Sequence, residues 1–340
     1  MTALVGCIGG GQLGRMLALA GAPLGVRLRF LDPAADACAG DVGELVVGAY
    51  DDPTCLDRLA EGTDAVTYEF ENVPVSAARA VGAVPEPRAL EVGQDRLAEK
   101  DLFRRLGIAT APFGSLDETG VPALVKSRRL GYDGKGQRVV ETVEPLGEDE
   151  LAEGIVSFDR ELSILAVRGL TGDTAFYPVA ENEHRGGILA VSRAPAPAAP
   201  QREAERIASR LLDDLGYVGV LAVELFEVEG RLLANELAPR VHNSGHWTID
   251  GAHTSQFENH LRAILGLPLG MTAARGSTVM VNLVGSSPPL ERLLAIPGAH
   301  VHLYGKDARP GRKLGHVTLV DAGDDAVAEV VELSRAAWTV

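Results

Sequence analysis

The chain has 340 residues, of which 46% are hydrophobic and 23% charged, the balance of a soluble globular protein of two or three domains. Its net charge of −15, from 32 basic and 47 acidic residues, argues against a nucleic-acid partner, which would need a basic face. No apolar run reaches the ~18 residues of a membrane span, residues 1–8 lack a basic leader, and Cys7, Cys38 and Cys55 suggest neither a disulfide framework nor a zinc site. A reducing cytoplasm is the expected setting.

Lysine is rare: Lys100, Lys126, Lys135, Lys306 and Lys313 are the only five, and every other basic residue is arginine. Where any positive charge would serve, this chain uses arginine. A compact ammonium differs from a planar guanidinium fork, so the five lysines are candidate site residues.

The N-terminal stretch reads as a strand at 3–8, the turn Gly9-Gly10-Gly11-Gln12-Leu13-Gly14, a helix to about Gly21, and a strand from Val26 that ends at Asp32. This is GxGxxG in a strand–turn–helix setting, with an acid closing the next strand. It supports a dinucleotide-binding dehydrogenase as one reading, and a phosphorylated ligand at the helix N-terminus more generally. A strand at Glu44–Val47, a helix near Thr54–Glu61 and a strand at Ala65–Tyr68 continue a doubly wound unit. Glu69 and Glu71 follow that strand's carboxyl end, where open α/β sheets bind ligands.

A second domain is expected from about residue 94. A helix over Asp95–Leu106, stopped by Gly107, carries Lys100. A strand at Ala123–Lys126 leads into a basic loop, Ser127 to Gln137, with three glycines, suited to close on polyphosphate. Residues 155–168 and 176–179 read as strands, 202–215 and 254–265 as helices, and the last 70 or so residues as short strands and turns.

The central segment, residues 219–246, reads as a hairpin with Glu224 on one strand and Glu236 on the other. A three-residue loop would oppose the two acids on one face, with Cβ atoms about 5 Å apart. A two-residue loop would put them on opposite faces. Opposed carboxylates repel unless a cation lies between them, and Mg²⁺ suits one or two carboxylates plus substrate phosphates. Arg240, His242, Asn243 and His246 follow at once and supply anion-binding and proton-transfer groups.

Five segments, IGGGQLGRM, YEFENVP, GYDGKGQ, NELAPRVHNSGHWTIDGA and YGK with RPGRKLGH, span nearly the whole chain. With them the chain resembles the ATP-grasp carboxylate–amine ligases, and among these the 5-(carboxyamino)imidazole ribonucleotide synthetases. The resemblance implies an α/β and α+β architecture: a doubly wound, Rossmann-like domain (1–93), an ATP-grasp domain (94–270) and a small C-terminal β domain (271–340). It implies a homodimer, ATP with Mg²⁺ (Mn²⁺ able to substitute), and carboxylation of 5-aminoimidazole ribonucleotide by bicarbonate. A related ligase acting on another amine, such as glycinamide ribonucleotide, is the alternative within the class.

Carried over by motif, Lys100 and Lys126 would hold ATP, Glu153, Gly154, Ile155 and Val156 would face adenine, and Glu161 the ribose. Gly134, Lys135, Gly136 and Gln137 would form the phosphate lid, with His184 and Asn235 as further ATP contacts. Glu224 and Glu236 would bind the metal, Glu236 also touching ATP. Arg240 and His242, with Asp133 and Lys306, would be catalytic. Gly11, Gln12, Leu13, Glu71, Tyr132, Asp133, Lys306 and Arg312 would receive the ribonucleotide. Two positions depart from the family pattern: Val241 replaces a proline, and Leu130 a glycine.

Overall fold

A computed structural model describes residues 3–131 and 136–337. The chain opens with β1 (Leu4–Ile8), α1 (Gln12–Gly21), β2 (Arg27–Asp32), β3 (Glu44–Val47), α2 (Pro53–Ala60) and β4 (Ala65–Tyr68). Their four strands form a parallel sheet in the order β3-β2-β1-β4. Strand residues such as Val5, Cys7, Ile8, Phe30 and Leu31 are fully buried, as expected where helices cover both faces. The three cysteines are free and buried.

Two short helices, α3 (Val75–Ala80) and α4 (Pro87–Gly93), lead to α5 (Arg96–Arg105). Asp95 caps α5 through the Leu97 amide at 3.0 Å, and Gly107 ends the turn at φ 64°. A small antiparallel sheet follows, built from β5 (Phe113–Gly114), β6 (Ala123–Ser127), β7 (Gln137–Val140) and β8 (Glu150–Gly154), with α6 (Leu116–Thr119) against it. Its order is β5-β8-β6-β7.

The largest sheet has nine strands. They are β9 (Arg160–Arg168), β10 (Thr174–Phe176), β11 (Ala180–Arg185), β12 (Ile188–Ala194), β13 (Gly219–Val228), β14 (Arg231–Ala238), β15 (Thr278–Val284), β16 (Ala299–Leu303) and β17 (Lys313–Val320). The order runs β14-β13-β9-β11-β12-β15-β17-β16, with β10 paired to β9. Helix α7 (Gln201–Leu215) packs an apolar stripe on this sheet: Ala204, Ile207, Ala208, Leu211, Leu212 and Leu215, at helical spacing, are all buried. Helices α8 (Thr248–Gly251), α9 (Gln256–Ile264), α10 (Leu290–Leu294) and α11 (Asp324–Ala337) complete the described chain.

Three expectations change. The strand expected from residue 155 begins at Arg160. Tyr177–Val179 is the link between β10 and β11, not a strand; Tyr177 and Val179 are nevertheless buried, which is why the run looks like one. The C-terminal segment is not strands and turns alone. It ends in the 14-residue helix α11, and its strands join the central sheet through the β12–β15 pairing.

Candidate active site

The hairpin β13–β14 forms one wall of the site. Its turn has two residues, with Val228 paired to Arg231 and Glu229 and Gly230 at φ 50° and 74° between them. Left alone, that turn would set Glu224 and Glu236 on opposite faces. A bulge restores them: Leu225 pairs with Ala234, but Glu224 pairs with Glu236, so Asn235 is the extra residue. The two carboxylates are therefore directly opposed, by a different route from the three-residue loop. Burial first, and the charge of Glu236 second, push the Glu224 carboxyl up to about 8.

These acids line a cavity of about 490 Å³ between the sheets. Gln12, Leu13, Glu71, Lys126, Gln137, Glu161, His184, Asn235, Arg240 and His242 line it too, so expected side chains from distant segments converge. Arg240 pairs with Glu71 at 2.6 Å, while its Nε is buried without a partner. Nε2 of His242 lies 3.5 Å from Glu224. The Ser244 amide donates to Nδ1 of His242, which leaves the ring proton on Nε2. Burial, with Arg240 next, holds His242 well below the ordinary histidine range, so the ring is neutral. His184 hydrogen-bonds Glu161. Burial works against charge on His184, but Glu161 and Glu224 hold its pKa above the usual value.

Lys100 is fully buried and does not face the cavity. Its Nζ donates to the Asn235 carbonyl at 2.7 Å and to Thr110 at 3.1 Å, and sits 3.3 Å from Glu153. Glu153 also takes Lys126 at 3.0 Å. The expected adenine-facing residue is thus a buried carboxylate shared by two lysines, and its Oε1 has no partner. Gly154, Ile155 and Val156 lie at and just beyond the end of β8, outside the cavity lining, with Ile155 exposed. Gly136 adopts φ 72° beside Ser127. Tyr132, Asp133, Gly134 and Lys135 lie outside the described residues. Leu130 sits at φ 61°, a conformation that costs a residue with a Cβ about 1–2 kcal/mol. Val241 is buried in the core.

At the far end, Lys306 hydrogen-bonds Gln12, which brings the C-terminal segment onto the glycine turn. Arg312 donates to the Asp307 carbonyl at 3.1 Å and stays outside the lining, whereas its neighbour Lys313 is in it. The turn itself is not open. Gly11 and Gly14 amides both donate to Glu69, the latter at 2.6 Å, and Gly10 donates to Asp32 at 2.8 Å. Burial pushes the Glu69 carboxyl up; the two amides and Lys306 pull it back. Asp32 also accepts from Tyr50 at 3.0 Å. The seat a dinucleotide's pyrophosphate would take is filled, and the acid that would bind its ribose is engaged, so the dehydrogenase reading fails on geometry.

Sequence reasoning missed several groups here. Arg96 pairs with Glu236 at 3.3 Å and donates to the Gly131 carbonyl at 3.0 Å. Glu99 accepts from the Leu237 amide at 2.6 Å and is pushed up to about 8, chiefly by burial. Arg96, Glu99 and Lys100 share a face of α5 with Phe103, and charged residues on a helix's core face were the available signal. Asn243, which the sequence did single out, lines the cavity with both amide atoms buried and without a partner.

Residues 1–94 match the ribonucleotide synthetase preATP-grasp domain, 109–257 the ATP-grasp domain, and 278–330 the phosphoribosylaminoimidazole carboxylase C-terminal domain. The chain is 48% identical to the N5-carboxyaminoimidazole ribonucleotide synthase of Pseudomonas aeruginosa, over 93% of this chain and 94% of that one. The chain belongs to the N5-carboxyaminoimidazole ribonucleotide synthase family. Among solved structures of the family, the synthetase from Thermus thermophilus is 54% identical, with a TM-score of 0.92 and 99% of each chain covered. The synthase from Aspergillus clavatus, solved with ADP and 5-aminoimidazole ribonucleotide, is 29% identical, with a TM-score of 0.89, covering 98% of this chain and 99% of that one. As a family member the chain is an ATP-grasp ligase.

Proposed function

We propose that the enzyme uses ATP and bicarbonate to carboxylate the exocyclic amine of 5-aminoimidazole ribonucleotide, as a cytoplasmic homodimer with domains at 1–93, 94–270 and 271–340. The observation that carries this is the single cavity joining the opposed Glu224–Glu236 pair, Arg240 and His242, with Lys306 bonded to Gln12 at its edge. Among the described residues no group of three or more His, Cys, Asp or Glu could hold a metal alone. Glu224 and Glu236, opposed across the hairpin, fit Mg²⁺ shared with ATP phosphates, or Mn²⁺ in its place. When bound, the ion neutralises charge on the phosphates as the γ-phosphoryl group moves.

ATP would lie between the small sheet and the hairpin. Lys126, with Lys100 behind it, would face the phosphates. Residues 154–156, at and beyond the end of β8, would meet adenine, Glu161 the ribose, and His184, Asn235 and the 134–137 loop the triphosphate. Glu153 keeps both lysines in place: burial pushes its carboxyl up, but Lys100 and Lys126 outweigh this and hold it below the usual range. A bicarbonate oxygen attacks the γ-phosphorus, ADP leaves, and carboxyphosphate forms. Arg240 suits that anion, because its buried Nε–H is already unpartnered. The neutral His242 ring adds a donor at Nε2. The substrate amine then attacks the carboxyl carbon, phosphate leaves, and the amine releases a proton. Gln12, Leu13, Glu71, Tyr132 and Asp133 would line the ribonucleotide, with Lys306 and Arg312 on its 5′-phosphate. Gly11 would contribute through the turn's shape, since its amide is committed to Glu69.

ADP release should require both 5-aminoimidazole ribonucleotide and bicarbonate. Equal release with glycinamide ribonucleotide would overturn the choice of amine substrate. Lys306→Ala should raise the KM for the ribonucleotide about tenfold or more while leaving that for ATP within about twofold, since a charge-assisted bond to phosphate contributes ~1.5–3 kcal/mol. Equal shifts in both constants would place the phosphate elsewhere.

A further inference from the structure

The glycine motif is explained by the chain itself. Gly11 has φ −82°, which any residue adopts, so its backbone does not require glycine. Its space does: a Cβ there would lie 2.5 Å from Oε1 of Glu69, and its three nearest atoms all belong to Glu69. At Gly9 the Cβ would lie 2.5 Å from Cγ of Glu69. Gly14 serves packing, since its Cβ would meet Phe30 at 3.0 Å. Glu69 is 7% exposed, and both its oxygens are held by turn amides at the start of the ten-residue helix α1. That position favours an anion, and a tethered carboxylate fills it without the entropy cost of capturing a free one.

We propose that Glu69 is a specificity-determining residue: its carboxylate occupies the anion seat formed by the Gly11 and Gly14 amides, and so keeps phosphate groups, a dinucleotide's pyrophosphate among them, off those two amides. Gly11 is small in order to admit Glu69, whereas Gly9 also adopts φ 103°, a conformation that favours glycine by itself. This holds whichever amine the enzyme carboxylates, because it rests only on the turn.

Two measurements test it. In thermal denaturation, Gly11→Ala in the otherwise native chain should lower Tm by several degrees, while the same change added to Glu69→Ala should cost little, because the clashing partner is gone. An equal cost in both backgrounds overturns the proposal. Crystals of Glu69→Ala grown with inorganic phosphate should carry phosphate on the Gly11 and Gly14 amides, and native crystals should carry none there. An empty turn in the variant, or a native crystal with phosphate seated and Glu69 displaced, also overturns it. Glu69→Ser, equally free of the clash, serves should Glu69→Ala not fold.

Discussion

Replacing Glu236 by Gln should reduce kcat for ADP release by at least about 10²-fold, the usual loss when one group that stabilises developing charge is removed. The amide keeps the size of the carboxylate and, in place of the ion pair to Arg96, can still accept a hydrogen bond, so circular dichroism should show a native fold. A second signature follows from Glu224. Its carboxyl is raised from 4.5 to about 8, by burial first and by Glu236 second. A carboxyl raised by folding stabilises the folded state fully below about 4.5 and loses that contribution as pH climbs toward 8. With Glu236 neutral the rise is smaller. The Tm of metal-free Glu236→Gln should therefore fall less across that window than the native Tm. Full turnover in the variant would remove Glu236 from the metal site, and parallel melting curves would remove the coupling between the two acids.

Arg240→Lys should cost about 10²-fold or more in kcat, with the KM for ATP within about twofold of native. The substitution keeps the charge and the pairing to Glu71, so folding is not at issue. What it removes is the fork. Arg240 holds Glu71 through Nη2 and leaves a buried Nε–H over for a second anion. Lysine offers a point charge that cannot grip two anions in one plane. If the rate loss tracks a raised KM for ATP, Arg240 belongs to the nucleotide and not to bicarbonate. Glu71→Gln is the companion: it frees the fork without shortening it, and should disturb ribonucleotide binding more than ATP binding.

Local order was legible in the sequence wherever one element decides its own face. The strand–turn–helix at residues 4–21, the apolar stripe of α7 and the stop at Gly107 follow from periodicity and from glycine's access to positive φ. Lysine scarcity was informative too. Among the described residues, Lys126 and Lys313 line the cavity, Lys306 touches Gln12 at its edge, and Lys100 stands one contact behind Lys126 through Glu153. The family motifs carried most of the cavity lining, because motifs preserve side chains whose partners are far away in sequence.

What only the tertiary structure decided are places where two segments compete for one space. The hairpin's register depends on whether Asn235 bulges. That is set by what β14 must reach on its other side, where Ala234 meets Ala109, the Leu237 amide meets Glu99, and the Asn235 carbonyl takes Lys100. Counting residues through the turn cannot reveal this. The glycine turn shows the same limit. A helix N-terminus calls for an anion but does not say whose, and here the anion arrives from the end of β4, which the parallel β1–β4 pairing places alongside. Lys100 and Glu153 likewise became a buried pair only when α5 and β8 packed together, since neither charge could be buried alone. Sequence by itself supplied the candidate groups, Arg96 and Glu99 excepted; packing decided which of them face the cavity and which face one another.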